Sequence, residues 1–139
     1  MPSLRTAMDA ATSALDVQRA RIEVAVSNLA NAESTKFRNG LPYRRREVIL
    51  EAVPQGEGGQ QSAFGVRVAE IAEDQSPFAE RFEPNNADAD ENGFVKMPNV
   101  EVPMEMVDML GAARAYQANL AAVTMIRETV QKALEIGRG

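Results

Sequence analysis

The chain has 139 residues, no Cys, no His and a formal net charge of −5. These facts exclude disulfide and thiolate chemistry, remove the commonest general base and transition-metal ligand, and argue against wholesale binding to nucleic acid or anionic membrane. The length suits one domain, and the 45% hydrophobic content is only 5% aromatic and leans on Ala, Val and Met, which favours slender helices packed side by side over a thick interior. No apolar run approaches the roughly 20 residues of a membrane span. Met1-Pro2-Ser3-Leu4-Arg5 lacks the charged start and apolar centre of a cleavable signal, so any exit from the cytoplasm is expected to use another route.

The first element is a helix over Leu4 to Asn31, with Ser3 as a plausible N-cap. Leu4, Met8, Ala11, Leu15, Ile22, Ala25 and Leu29 alternate four and three apart, with Gln18 as the one polar member, which is the heptad seam of a helix that packs on another helix. Arg5, Asp9, Asp16, Arg19 and Glu23 form an outer face, and several Ala permit close approach. An amphipathic core helix and a helix that joins other chains both fit this pattern. The run closes on Ser27-Asn28-Leu29-Ala30-Asn31-Ala32. Asn competes with the helix for backbone hydrogen bonds, so two of them around the last apolar position suggest an ending with a second task.

Glu33 to Pro42 is loop chemistry, and Lys36, Arg38, Arg44, Arg45 and Arg46 make a wholly basic stretch. Without interleaved aromatics, and in an acidic chain, a solvated face or a contact to acidic neighbours fits better than nucleic acid. Strands are expected at Tyr43–Val53, Phe64–Glu73, Phe78–Phe82 and Gly93–Met97, giving a small antiparallel sheet or barrel-like module of about four strands, with a Gly/Gln-rich loop near 54–62. Asp88-Ala89-Asp90-Glu91-Asn92-Gly93 matches the opening of a calcium loop. Asn99 stands where the bidentate Glu belongs and Lys96, a cation, stands at the ninth position, so a plain Asp/Asn/Gly turn is expected, with no metal site.

Pro98 to Pro103 is an extended entry to a second long helix over Met104 to about Ile136, stopped at Gly137-Arg138-Gly139. Glu105 suits a helix N-terminus. Val102, Met106, Met109, Ala113, Tyr116, Leu120, Val123, Val130 and Leu134 repeat the four-three rhythm, with Arg127 as the interruption. The expected fold is α+β: terminal helices in an antiparallel coiled-coil hairpin (1–35 and 101–139) with a small β module (36–100) inserted between them. Leu15, Ile22, Leu29, Met109, Tyr116, Leu120 and Val123 are the expected intrachain seam.

Ser27 to Ala32 at the end of a heptad helix resembles the signature of bacterial flagellar axial proteins, the rod, hook and hook-associated subunits. Glu105-Met106-Val107-Asp108-Met109-Leu110 and Arg114-Ala115-Tyr116-Gln117-Ala118-Asn119 resemble the matching terminal helix of that superfamily. The short length, Gly65 to Ile71, the block from Asp88 through Phe94 to Val100, and Leu134-Glu135-Ile136-Gly137-Arg138 are similar to its proximal rod members. The resemblance implies a structural subunit of the periplasmic rod of the basal body, exported through the flagellar type III apparatus. Its partners would be copies of itself, other rod proteins, proteins of the inner-membrane ring/rod junction and the export apparatus. The terminal helices would line the channel and be loose before assembly, when each seam buries little area at about 25 cal/mol per Å². Heterologous contacts that do not close would build the helical tube.

Candidate assembly-interface residues are Asn28, Leu29, Asn31, Arg114, Tyr116 and Asn119, with helix capping the simpler role for the two Asn of the first helix. The competing classes are an enzyme and a cytoplasmic coiled-coil adaptor that dimerises through its terminal helices. No nucleophile–base pattern, phosphate loop or His supports catalysis, so no catalytic residue, cofactor or small-molecule substrate is expected.

Overall fold

The computed structural model describes residues 4–55 and 63–138. The N-cap expected at Ser3 and most of the loop expected near 54–62 lie outside the described residues. The element order is α1 (Leu4–Ala30), β1 (Arg46–Gln55), β2 (Ala63–Glu73), β3 (Ala79–Phe82), β4 (Phe94–Met97) and α2 (Val102–Ile136). The architecture is α+β, two long helices with small antiparallel sheets between them in sequence. Among the described residues no helix is long and apolar enough to cross a membrane.

The helices pack on one another, and α1 also packs on β1 and β2. Covered on more than one side, α1 has buried residues, Val17, Val24, Ala25 and Asn28, that spread beyond the expected seam. Pro103 sits in the first turn of α2, where a missing N–H costs nothing, and the Glu105 N–H bonds the Glu101 carbonyl at 3.0 Å. The buried and half-buried row of α2 runs Glu105, Met109, Ala112, Tyr116, Asn119, Val123, Ile126 and Val130. This row keeps the four-three rhythm but turns about one residue from the expected one. Val102, Met106, Leu120 and Leu134 are consequently exposed by 41–62%. The interruption at Arg127 disappears, because Ile126 takes that place in the row. The apolar residues of α2 occupy more than one face, so periodicity alone did not choose between faces; the junction at Glu105, described below, does.

The strands fall where expected, but they form two separate two-stranded hairpins, β1–β2 and β3–β4, and not one sheet of four. Strand propensity marks segments without naming their partners. β1 and β2 pair from Arg46↔Glu73 to Gln55↔Ala63, with a bulge where Ile49↔Glu70 is followed by Leu50↔Val68. β2 is tied to the helix by the Val66 N–H, which donates to the Ser13 hydroxyl at 3.1 Å. β4 alternates cleanly, with Val95 and Met97 inward and Phe94 and Lys96 outward. Phe94 meets Phe82 of β3 edge-on, with ring centroids 5.3 Å apart.

The Asp/Asn/Gly stretch forms the turn into β4. Asp90 Oδ1 accepts from the N–H groups of Asn92 and Phe94, both at 2.9 Å. Gly93 has φ +83°, and a Cβ there would lie 3.0 Å from the Phe82 ring, so glycine is required on two counts. Asp88 is held by Lys36 and by the Thr35 hydroxyl (2.8 Å). Both Asp side chains therefore have partners within the chain that explain them as a turn and a loop tether.

A buried polar junction as the candidate functional site

α1 ends beside the start of α2, and the contact there is polar. Asn28 is 0% exposed and Glu105 2% exposed. Asn28 Oδ1 accepts from the Tyr43 hydroxyl and from the Arg46 N–H, both at 2.9 Å. Its Nδ2 donates to the Arg46 carbonyl at 2.8 Å and to Glu105 Oε2 at 3.0 Å. An amide has two donor hydrogens and two acceptor lone pairs, so all four are used. The Tyr43 proton goes to Asn28, which leaves the Ser27 hydroxyl as donor to the Tyr43 oxygen at 3.3 Å.

The other oxygen of Glu105 receives the Arg45 Nε. The Arg45 guanidinium also faces Asp108 (3.5 Å), Glu47 (3.7 Å) and Asp74 (3.8 Å). Its backbone N–H donates to Asn99 Oδ1 at 2.7 Å, and Asn99 Nδ2 donates to the Asp74 carbonyl at 3.0 Å. One network thus fastens α1, the start of β1, the segment after β2, the approach to α2, and α2 itself. Burial opposes the charge on Arg45, but the hydrogen bond to Glu105 and the charges of Glu105, Asp108 and Asp74 outweigh it, so its pKa is raised. Hydrogen bonds from the Ser76 hydroxyl and N–H, and then the Arg45 and Arg44 charges, hold the Asp74 carboxyl below its usual range. Among the described residues no buried side-chain polar atom lacks a partner.

Two residues of the basic stretch, Lys36 and Arg45, find acidic neighbours inside the chain. Lys36 meets Asp88, Arg45 meets the cluster above, and Arg44 donates to the Asp74 and Ser76 carbonyls while stacking over Phe78 at 4.3 Å. Arg46 lies over Tyr43, and Phe37 packs edge-on against the same ring.

The six candidate interface residues fall in different places. Asn28 is sealed inside the junction and keeps no valence for another chain in this arrangement. Asn31 serves the helix end: its Nδ2 donates to the Ser27 carbonyl at 2.9 Å and its Oδ1 accepts from Ser34 at 3.2 Å. Leu29, Tyr116 and Asn119 are half-buried and Arg114 is exposed. Arg114, Tyr116 and Asn119 stand about two and a half to four turns beyond Glu105 on α2, away from the junction. Of the seam residues, Leu15, Ile22, Leu29, Met109, Tyr116 and Val123 are half-buried, and Leu120 is 47% exposed. Sequence reasoning did not pick out Tyr43 or Glu105 as partners of Asn28, or Arg45 as the partner of Glu105. The signals available were a Tyr in a polar loop and an acid placed early on α2.

A family model described as the flagellar basal body rod FlgEFG protein C-terminal region matches residues 91–136. Relatives resemble the chain over nearly all its length. The flagellar basal-body rod protein FlgC of Salmonella typhimurium is 43% identical over 136 residues, 98% of this chain and 99% of the relative. That of Bacillus subtilis is 38% identical over 144 residues, 94% of this chain and 96% of the relative. That of Agrobacterium fabrum is 37% identical over 137 residues, 98% and 96% of the two chains.

Proposed function

The chain belongs to the flagellar basal-body rod protein FlgC family, structural subunits of the rod and not enzymes, and from that premise we propose how its parts serve the assembly. The helices act as an antiparallel coiled-coil hairpin (1–35 and 101–139) that joins the helices of neighbouring subunits around the channel of the proximal rod. Residues 36–100 form an outer module. The subunit travels through the flagellar export apparatus and then polymerises with copies of itself and other rod proteins, including those at the inner-membrane ring junction. A cytoplasmic adaptor finds no support among these relatives.

The observation that carries the reading is the apolar surface left uncovered on α2. Met104, Val107, Leu110, Met125, Leu134 and Ile136 are 55–82% exposed. That is far more than an isolated helix pair needs to leave in water, and neighbouring helices would bury it. Arg114, Tyr116 and Asn119 belong to the same helix and contribute to the contact directly. Asn28, Leu29 and Asn31 contribute by shaping the end of α1.

The test is complementation of a strain lacking the chromosomal copy. Leu110→Lys combined with Leu134→Lys should leave the subunit stable and secreted but abolish rod assembly and swimming. Normal motility in that strain would remove the interface assignment. Asn28→Ala should likewise be secreted yet assemble poorly.

A further inference from the structure

We propose that the Asn28–Glu105–Arg45 junction is the register determinant of the helix pair, fixing which turn of α2 stands beside which turn of α1. The inference rests on the helix-hairpin reading above and specifies what sets its phase.

The rest of the seam is poorly suited to fix a register. The buried apolar residues of the two helices are Val17, Val24, Ala25 and Ala112. Further along, the half-buried residues of α1 include Ala7, Ala10, Ala11, Ala14 and Ala20 beside Leu15 and Ile22, and those of α2 include Ala113 and Ala115 beside Met109, Tyr116 and Val123. Apolar contacts are non-directional, so a slide of seven residues keeps the two rows facing each other and costs packing, but leaves no apolar group without a partner it requires. Such a slide would put Ala112 where Glu105 now stands. A single buried polar residue in an apolar seam penalises every register but one, because a shifted register leaves it without partners.

Asn28 meets that condition more strictly than a lone seam Asn. Its amide uses all four valences, on α2, on Tyr43 and on the backbone of Arg46. Glu105 is equally committed, with one oxygen to Asn28 and the other to Arg45. Arg45 is in turn fixed through its backbone to Asn99, three residues before α2 begins. A slide of α2 would break the Asn28–Glu105 bond and strip Glu105 of its counter-ion together. The consequence for assembly is geometric. The exposed apolar residues of α2 would meet neighbouring subunits at one height and one angle, as a helical tube of identical contacts requires.

The absence of native Cys allows the register to be read in the full chain. Spin labels go on Asp16→Cys and Gln131→Cys, both exposed and offset along the pair, so that an axial slide changes their separation. The unaltered junction should give one narrow distance. Asn28→Asp keeps the shape but sets a carboxylate against Glu105, and should add a population displaced by about 5 Å or more, one helical turn or beyond. Adding Glu105→Gln restores the donor–acceptor match across the helix pair, although the Arg46 carbonyl still faces an oxygen within the α1–β1 contact, and should move the population back toward the single distance, with helix content by circular dichroism unchanged across the series. A single unshifted distance in Asn28→Asp, or a failure of the double variant to recover from its effect, would overturn the proposal. A broad distance distribution in the parent chain would mean that the helices are loose before assembly and would overturn a register set within the single subunit, while leaving the rod reading itself standing.

Discussion

The two ends of the helix pair are built on opposite principles. Where α1 meets the start of α2, the chain buries an amide, a carboxylate and a phenol and satisfies each of them from within. At the far end of α2 it leaves Met125, Leu134 and Ile136 exposed by 62–82%, and residues 131–138 are all exposed. Counting the same rise up both helices from Asn28 and Glu105 puts Leu4 level with about residue 129, so the last turns of α2 outrun α1. Polar groups must find partners in their own chain or pay a desolvation penalty. Apolar side chains can await a neighbour, because their exposure costs little per residue until a partner arrives. The closed end is therefore where the subunit defines itself, and the open end is where it remains to be completed.

Removing one partner at the closed end should give the largest effect. Glu105→Ala leaves Arg45 without its nearest counter-ion and one Asn28 donor unpaired. Breaking a fully buried pair costs about 3–5 kcal/mol, and the partial exposure of Arg45 lowers the expected loss to about 2–3 kcal/mol, read by urea denaturation. A loss under about 1 kcal/mol would show that the junction does not hold this end. Tyr43→Phe is a finer cut. Asn28 Oδ1 keeps the Arg46 N–H and loses only the hydroxyl, so about 1 kcal/mol is expected from the same measurement.

Much of this contrast was legible in the sequence, though not all of it. The two heptad rows marked both helices to within a residue or two, since repeated apolar spacing is a strong local signal. Asn28 and Asn31 stood out because Asn is a poor choice inside a helix. Their different fates were not legible: Asn31 bonds within four residues of itself, whereas Asn28 bonds Glu105 across 77 residues of chain. Arg45 was hidden among like charges, and nothing local separates it from Arg44 or Arg46. The turn of the α2 row toward Ala112 and Ile126 has the same cause. Local pattern gives the period of a stripe, and the distant anchor at Glu105 gives its phase. The pairing of four strands as two hairpins was likewise a matter of distant partners.

At the open end, substitution should barely touch the isolated subunit. Met125→Gln with Leu134→Gln removes apolar atoms that the chain does not cover, so stability should change by no more than about 0.5 kcal/mol. Rod assembly should nevertheless fail. If the double variant instead unfolds the purified protein, the far end of α2 is supported in a way that the contrast between the two ends denies.

The smallest effect should come from an ion pair outside both ends. Lys36 and then Thr35 hold the Asp88 carboxyl below its usual range. A carboxylate with a depressed folded pKa adds stability that is fully present above its unfolded value, near pH 4, and is lost as pH falls through the folded value. Lys36 is exposed and Asp88 half-buried at the surface, so salt screens the pair, and the contribution should be slight and should shrink as ionic strength rises. Asp88→Asn should therefore differ from the parent chain at pH 6 in low salt and converge with it in acid, with stability followed from pH 6 to below pH 3. The junction should respond less to added salt, because Glu105 is enclosed by Asn28 and Arg45 and is reached by ions far less than Asp88.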